Sequence, residues 1–245
     1  MDLNQLDKIV QEVVLETVKN NGLDTGHNTY DKKLAAVMEH SMIRPDATPA
    51  MVKQFCEEAV RYRFRNVSLA PCFVALAAEL LKGTGVGVST AVCFPMGIAS
   101  TETKVFETNE VINNGATEID LPVNIGLVKA GEFRAIRDEI EAVVKASAKR
   151  ALIKVAVDLG QLTEEEQIKV AVTAKISGAD FLKIAATTRL AGITAADMEF
   201  FRQIIGPEMG LKADGGIKDR NTSLSIIEAG GTTIGASGSV KIVTG

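Results

Sequence analysis

Eight times along this chain a short apolar run rich in β-branched residues is followed by a longer stretch with helical spacing. The runs cover about 37–43, 66–70, 85–93, 118–123, 152–158, 181–185, 210–213 and 233–235. Amphipathic stretches such as 49–62, 101–113, 132–148, 164–177, 195–205 and 220–229 lie between them. The joints carry stop and start signals. Asn114-Gly115, Ser177-Gly178 and Gly230-Gly231 end helices, and Thr48-Pro49, Thr163 and Thr194 are N-caps. Alternating βα units imply parallel strands joined by right-handed crossovers. Eight of them in 245 residues predict an α/β chain folded as a closed (β/α)8 TIM barrel, a fold that typically takes about 250 residues. An open dinucleotide-binding sheet needs its glycine fingerprint to open a helix. Here Gly83-Thr84-Gly85-Val86-Gly87 precedes a strand and reads as a turn.

The first thirty residues stand outside this rhythm. Leu3, Leu6, Ile9, Val10, Val13, Val14 and Val18 repeat at helical spacing, and a polar segment follows from Gly22 to Tyr30. The chain therefore divides into an N-terminal amphipathic helix and linker, 1–30, and a barrel domain, 31–245. Either the helix caps the barrel or lies in a dimer interface, or it is a detachable docking helix. In the second case it resembles the peptides that carry enzymes into bacterial microcompartments, and residues 1–20 would meet the shell.

Composition narrows the function. A net charge of −4 argues against nucleic-acid or anionic-membrane surfaces. No secretory signal and no run of 18 apolar residues is present, so the expected setting is the cytoplasm. Three cysteines without CxxC spacing and only two histidines predict neither a disulfide framework nor a metal site. His40 reads as a hydrogen-bonded core residue.

In such a barrel, functional groups gather at the C-terminal ends of strands. Lys183 and Lys212 follow apolar runs, where lysine is out of place in a solvated loop, and Asp120 interrupts a third run. If both ammonium groups enter one desolvated cavity, their crowding lowers the pKa of one and frees an amine to attack a carbonyl. Asp120 then serves proton transfer. Together these residues predict a lysine Schiff-base aldolase.

Six segments in order strengthen that reading: Glu39-His40-Ser41-Met42-Ile43-Arg44-Pro45, Phe94-Pro95-Met96-Gly97, Gly115-Ala116-Thr117-Glu118-Ile119-Asp120, Ala179-Asp180-Phe181-Leu182-Lys183, Gly210-Leu211-Lys212-Ala213-Asp214-Gly215-Gly216-Ile217 and Ile234-Gly235-Ala236-Ser237. From Lys33 to the C-terminus the chain resembles the deoxyribose-phosphate aldolases. That resemblance implies that Lys183 forms the Schiff base, Asp120 transfers protons and Lys212 lowers the nucleophile's pKa. It implies reversible cleavage of 2-deoxyribose 5-phosphate to acetaldehyde and glyceraldehyde 3-phosphate without a metal or organic cofactor. It also implies a homodimer or higher assembly. A phosphate is expected on the loops around Gly215, Gly216, Ser237 and Gly238, with Thr187 and Arg189 nearby.

The chain departs from the family in three places. Lys183 is followed by Ile184-Ala185-Ala186 instead of Thr-Ser-Thr, Glu39 replaces an aspartate, and Asp214 stands where a small residue is usual. A carboxylate beside a phosphate loop repels the anion unless it is paired, for which Arg189 or Lys218 are the expected partners. These departures leave open a related Schiff-base aldolase acting on another small sugar phosphate or hydroxyaldehyde, or an inactive scaffold or cargo barrel. A metal-dependent aldolase is disfavoured by the two histidines.

Overall fold

Each strand alternates two kinds of residue, and the alternation decides how the sheet closes. One set is apolar: Met38 and Met42, Val67 and Leu69, Ile119 and Leu121, Ile153, Val155 and Val157, Leu182 and Ile184, Leu211 and Ala213. All are buried. The other set is small or charged and includes Glu39, Ser68, Ser89, Asp120, Lys154, Lys183 and Lys212. A sheet with this pattern closes its polar face inward and lays its apolar face against a shell of helices.

The computed structural model describes residues 30–186, 189 and 191–245. The expected N-terminal helix, almost all of its linker, and Thr187 lie outside the described residues. Within them the elements run α1 (Lys32–Ala35), β1 (Met38–Met42), α2 (Pro49–Tyr62), β2 (Asn66–Leu69), α3 (Val74–Leu80), β3 (Gly87–Ala91), α4 (Thr101–Asn113), β4 (Glu118–Pro122), α5 (Ile125–Lys129), α6 (Phe133–Ser147), β5 (Leu152–Asp158), α7 (Glu164–Ile176), β6 (Phe181–Ala185), α8 (Ala195–Ile205), β7 (Gly210–Asp214), α9 (Arg220–Glu228), β8 (Thr233–Ala236) and α10 (Ser239–Thr244). The eight strands are all parallel and close in sequence order, β8 pairing with β1. This is the (β/α)8 TIM barrel expected from the sequence. No helix among the described residues is long and apolar enough to cross a membrane.

The expected caps form. Thr48 accepts from the Met51 amide ahead of Pro49. Thr163 and Thr194 each close a reciprocal capping box, with Glu166 and Asp197. The third strand is shorter than its apolar run of 85–93, because Gly85 (φ 84°) and Cys93 (φ 49°) are both left-handed and leave the extended ladder. Gly83 also has positive φ, so the glycine-rich segment is a turn. Besides the four-residue α1, the structure adds α3, α5 and α10 to the amphipathic stretches named above. They are short, at 7, 5 and 6 residues, too short for periodicity to mark.

Register sets the height of the polar side chains. Asp120 is opposite Lys154, Ala156 opposite Lys183, and Lys183 opposite Lys212. His40 falls on the opposite parity to Glu39 and faces α2. There it stacks on Phe55 with ring centroids 3.5 Å apart and places Nε2 3.0 Å from Glu58 Oε2. Burial pushes its pKa down to about 4 against the pull of Glu58, so the ring is neutral. His40 is a packed, hydrogen-bonded residue outside the barrel lumen.

Candidate active site

Lysine is costly to bury unless its charge is met, yet three inward lysines are buried here. Lys154 and Lys212 are inaccessible and Lys183 is 6% exposed. Parity forces them inward, because each alternates with Leu, Ile or Val that the helices cover. The carboxylates that meet them come from β1, β4 and β7. Lys183 Nζ lies 2.7 Å from Asp120 Oδ2 and 2.8 Å from Asp214 Oδ2. Lys212 Nζ binds Glu39, lies 2.9 Å from Asp120 Oδ2 and approaches Asp214 to 3.7 Å. Lys154 Nζ lies 2.6 Å from Glu39 Oε2, 2.7 Å from Glu118 Oε2 and 3.5 Å from Asp120 Oδ1, and donates to Ser89 Oγ at 3.2 Å. Arg65 ends the chain of contacts with a 2.6 Å bond to Glu118 Oε1. A ladder of four cations and four carboxylates thus threads the lumen from floor to mouth.

The electrostatics follow from this matching. Burial alone would raise the Asp120 pKa, but the Lys183, Lys212 and Lys154 ammoniums outweigh it and hold the carboxyl far below its usual range. Glu39, opposed by burial and favoured by Lys154 and Lys212, falls to about 2. For Lys183, burial lowers the pKa, and Asp120 and Asp214 more than reverse it. Lys212 pushes downward, in the direction expected from the sequence, but is outweighed. Lys212 is itself raised, burial being overcome by Asp120, Glu39 and Asp214. The expectation that crowding two cations frees an amine in the resting site is therefore corrected. Carboxylates come in with the lysines, and both stay ammoniums.

Lys183, Asp120 and Asp214 open onto a cavity of about 970 Å³ at the C-terminal ends of the strands. Gly215, Gly216, Lys218 and Ser237 line it as well, and an apolar rim includes Phe94 and Met96. Gly215 (φ 110°) and Gly216 (φ 77°) are needed for more than a turn. A Cβ on Gly216 would stand 2.5 Å from Gly192 Cα, and one on Gly215 would stand 3.2 Å from the Ala186 amide nitrogen. The two glycines therefore let the loop after β6 pack on the loop after β7. A Cβ on Gly235 would meet the Asp214 carboxylate at 2.9 Å, so glycine there makes room for it.

The remaining sequence candidates divide. Gly238 caps α10 with open space around it and is absent from the cavity lining. Arg189 donates to Asp197 at 2.8 Å and does not line the cavity. Asp214 does not pair with Arg189 or Lys218 as expected; it turns inward to Lys183. Lys154 and Glu39 complete the ladder, and Lys154 was not singled out from the sequence. Its signal was present: Leu152-Ile153-Lys154-Val155-Ala156-Val157 carries a lone lysine in an apolar run, as the runs at Lys183 and Lys212 do. Among the described residues, Glu39, Asp120 and Asp214 also have oxygens close enough together for a cation, and the ammoniums of Lys183 and Lys212 already occupy that position.

Comparison with known proteins places this geometry. A family model described as "DeoC/LacD family aldolase" matches residues 39–241. The chain is 40% identical over 213 residues to a deoxyribose-phosphate aldolase of Enterococcus faecalis, covering 87% of this chain and 97% of that one. It is 41% identical over 214 residues to one of Clostridium perfringens, covering 87% and 96%. The tetrameric deoxyribose phosphate aldolase of Aeropyrum pernix superposes with a TM-score of 0.79 at 27% identity, covering 92% of this chain and 94% of that one. With a family match over most of its length and the lysine–carboxylate lumen in place, this chain belongs to the DeoC/LacD family of aldolases.

Proposed function

We propose that this chain is a class I aldolase that reversibly cleaves 2-deoxyribose 5-phosphate to acetaldehyde and glyceraldehyde 3-phosphate through an imine on Lys183. The observation that carries the proposal is Lys183 Nζ, nearly buried at the base of the cavity, within 2.8 Å of two carboxylates and beside a second lysine.

The Lys183 ammonium loses a proton to a neighbouring carboxylate, and its lone pair attacks the aldehyde carbon of the open-chain sugar. The carbonyl oxygen takes protons and leaves as water. Of the three ammonium protons one stays on nitrogen and two depart in that water. Asp120, held as a carboxylate, accepts the proton of the C3 hydroxyl. The C2–C3 bond then breaks and its electron pair moves into the iminium to give an enamine. Protonation of the enamine at carbon and hydrolysis release acetaldehyde and restore the lysine. The Gly215–Gly216 loop, Ser237 and Lys218 offer the substrate phosphate backbone amides, a hydroxyl and a cation at the cavity wall.

The test is incubation with 2-deoxyribose 5-phosphate and borohydride, then peptide mapping by mass spectrometry. A reduced adduct on Lys183 supports the reading. An adduct with acetaldehyde but none with this sugar would keep the chemistry and remove the substrate. Adduct with neither would favour the inactive-barrel alternative. A related hydroxylated aldehyde is the second reading, favoured by the apolar Ile184-Ala185-Ala186 after Lys183 and by Asp214 beside the glycine loop. Retro-aldol rates across a panel of sugars separate the two.

Lys212 is assigned the role of pressing the Lys183 proton off. Lys212→Leu removes a positive charge from the ladder and is expected to move the acid limb of the pH–rate profile to higher pH. An unmoved profile would take that role away. Assembly into a dimer or higher oligomer, in line with the tetrameric relative, is proposed too and is read by light scattering. A docking role for residues 1–20 would leave activity and oligomeric state intact when residues before Tyr30 are deleted.

A further inference from the structure

The ladder closes electrically only because of Asp214. Arg65, Lys154, Lys183 and Lys212 face Glu39, Glu118, Asp120 and Asp214. Three of these carboxylates are fixed deep in the lumen, with side chains at most 8% exposed. Asp214 ends β7 at the cavity, with its side chain 27% exposed. Without it these eight groups would be left with four cations against three carboxylates. Lys183 would be left with Asp120 alone, and Asp120 is already shared with Lys212 at 2.9 Å and Lys154 at 3.5 Å. Excess positive charge in a desolvated lumen is relieved by loss of a proton, and of the three ladder lysines Lys183 is the one that lines the cavity.

We propose that Asp214 sets the pH at which Lys183 becomes a nucleophile: beside Asp120, which is shared with two other lysines, it supplies the second negative charge in contact with Lys183 Nζ and does so from the cavity side. The inference rests on the imine reading of Lys183 given above. The groups in contact with or beside Asp214 are Lys183 from β6, Lys212 from β7 itself, and Glu39 and Asp120 from β1 and β4, while Asp158 at the end of β5, Glu58 of α2 and Lys218 line the same cavity. Gly235 of β8 presents no charge and leaves the space the carboxylate fills. Both lysines pull Asp214 inward and both carboxylates push it out, so its charge acts on the lumen from the open side. Asp214 is a positioning residue in this reading, since it holds the nucleophile's proton and need not touch the substrate.

The experiment reads imine formation against pH. Full-length protein and its Asp214→Asn variant are incubated with acetaldehyde and cyanoborohydride across pH 5 to 10 or so, and the adduct on the Lys183 peptide is quantified by mass spectrometry. The midpoint of adduct formation is expected to fall by about 1 to 3 pH units in Asp214→Asn, the usual effect of removing an opposite charge at this range. Asp214→Glu, which keeps the charge, is expected to hold the parent midpoint. Asp214→Ser repeats the measurement with a smaller neutral side chain should the amide disturb packing, and circular dichroism checks the fold of each variant. Coincident midpoints in the parent and both neutral variants would overturn the inference while leaving the imine standing. No Lys183 adduct in any of them at any pH would overturn the imine reading and this inference with it. A purely structural role for Asp214 would lower the yield of adduct without moving its midpoint, and that result also overturns the inference.

Discussion

Lys183→Ala is expected to abolish turnover while the protein stays folded. The covalent route ends with the amine, and loss of a nucleophile that acts as part of a unit costs on the order of 10⁵-fold or more in rate. Folding survives for reasons visible around the side chain. Lys183 reaches into a cavity that already exists, so truncation enlarges that space instead of opening a sealed void. Asp120 keeps Lys212 at 2.9 Å and Lys154 at 3.5 Å, so it stays compensated. Asp214 reaches cavity solvent. Steady-state cleavage of 2-deoxyribose 5-phosphate, with thermal melts alongside, is the measurement. Residual activity within about 100-fold of the parent would show that the amine is not the nucleophile, because nucleophile losses are far larger.

Lys154→Met is expected to do the reverse and cost stability first. The side chain is inaccessible, and its ammonium answers Glu39, Glu118 and Asp120 at once. Methionine matches its length but strands those carboxylates in a lumen that cannot solvate them. Breaking a buried ion pair from one side costs about 3–5 kcal/mol. At about 2–4 °C of melting temperature per kcal/mol for a domain of this size, the melt should fall by roughly 10 °C. Urea denaturation of the parent and variant checks it. A loss under about 1 kcal/mol would mean that the surviving pairs, Arg65 to Glu118 and Lys212 to Glu39, carry the load without Lys154.

The fold was legible because a parallel barrel writes itself locally. Each strand is a short run whose apolar members meet helices, and many joints carry a cap or a left-handed glycine. The strand ends were harder, since a residue such as Cys93 gives no sequence sign that it leaves the ladder with positive φ. Of the site, Lys183, Lys212 and Asp120 stood out because charge inside an apolar run is conspicuous. Pairing was another matter. Loop position suggests Arg189 or Lys218 as the partner of Asp214, whereas strand parity turns it inward, against Lys183 on the neighbouring strand β6. Glu39 meets Lys154 and Lys212 across the barrel, 115 and 173 positions away along the chain. Such partners are fixed by closure of the sheet, so residue-by-residue reading could find the lysines but not the count of carboxylates that decides their protonation.

That count bears on how such a lumen could change over generations or at an engineer's bench. With charges matched one to one between Arg65 at the floor and Asp214 at the mouth, a single replacement along the column leaves a neighbouring charge without its counterpart. Viable routes then run through compensating exchanges, in which an acidic and a basic side chain are swapped or neutralised together. Positions far from the substrate, such as Arg65 and Glu118, become handles on the reactivity of an amine they never touch.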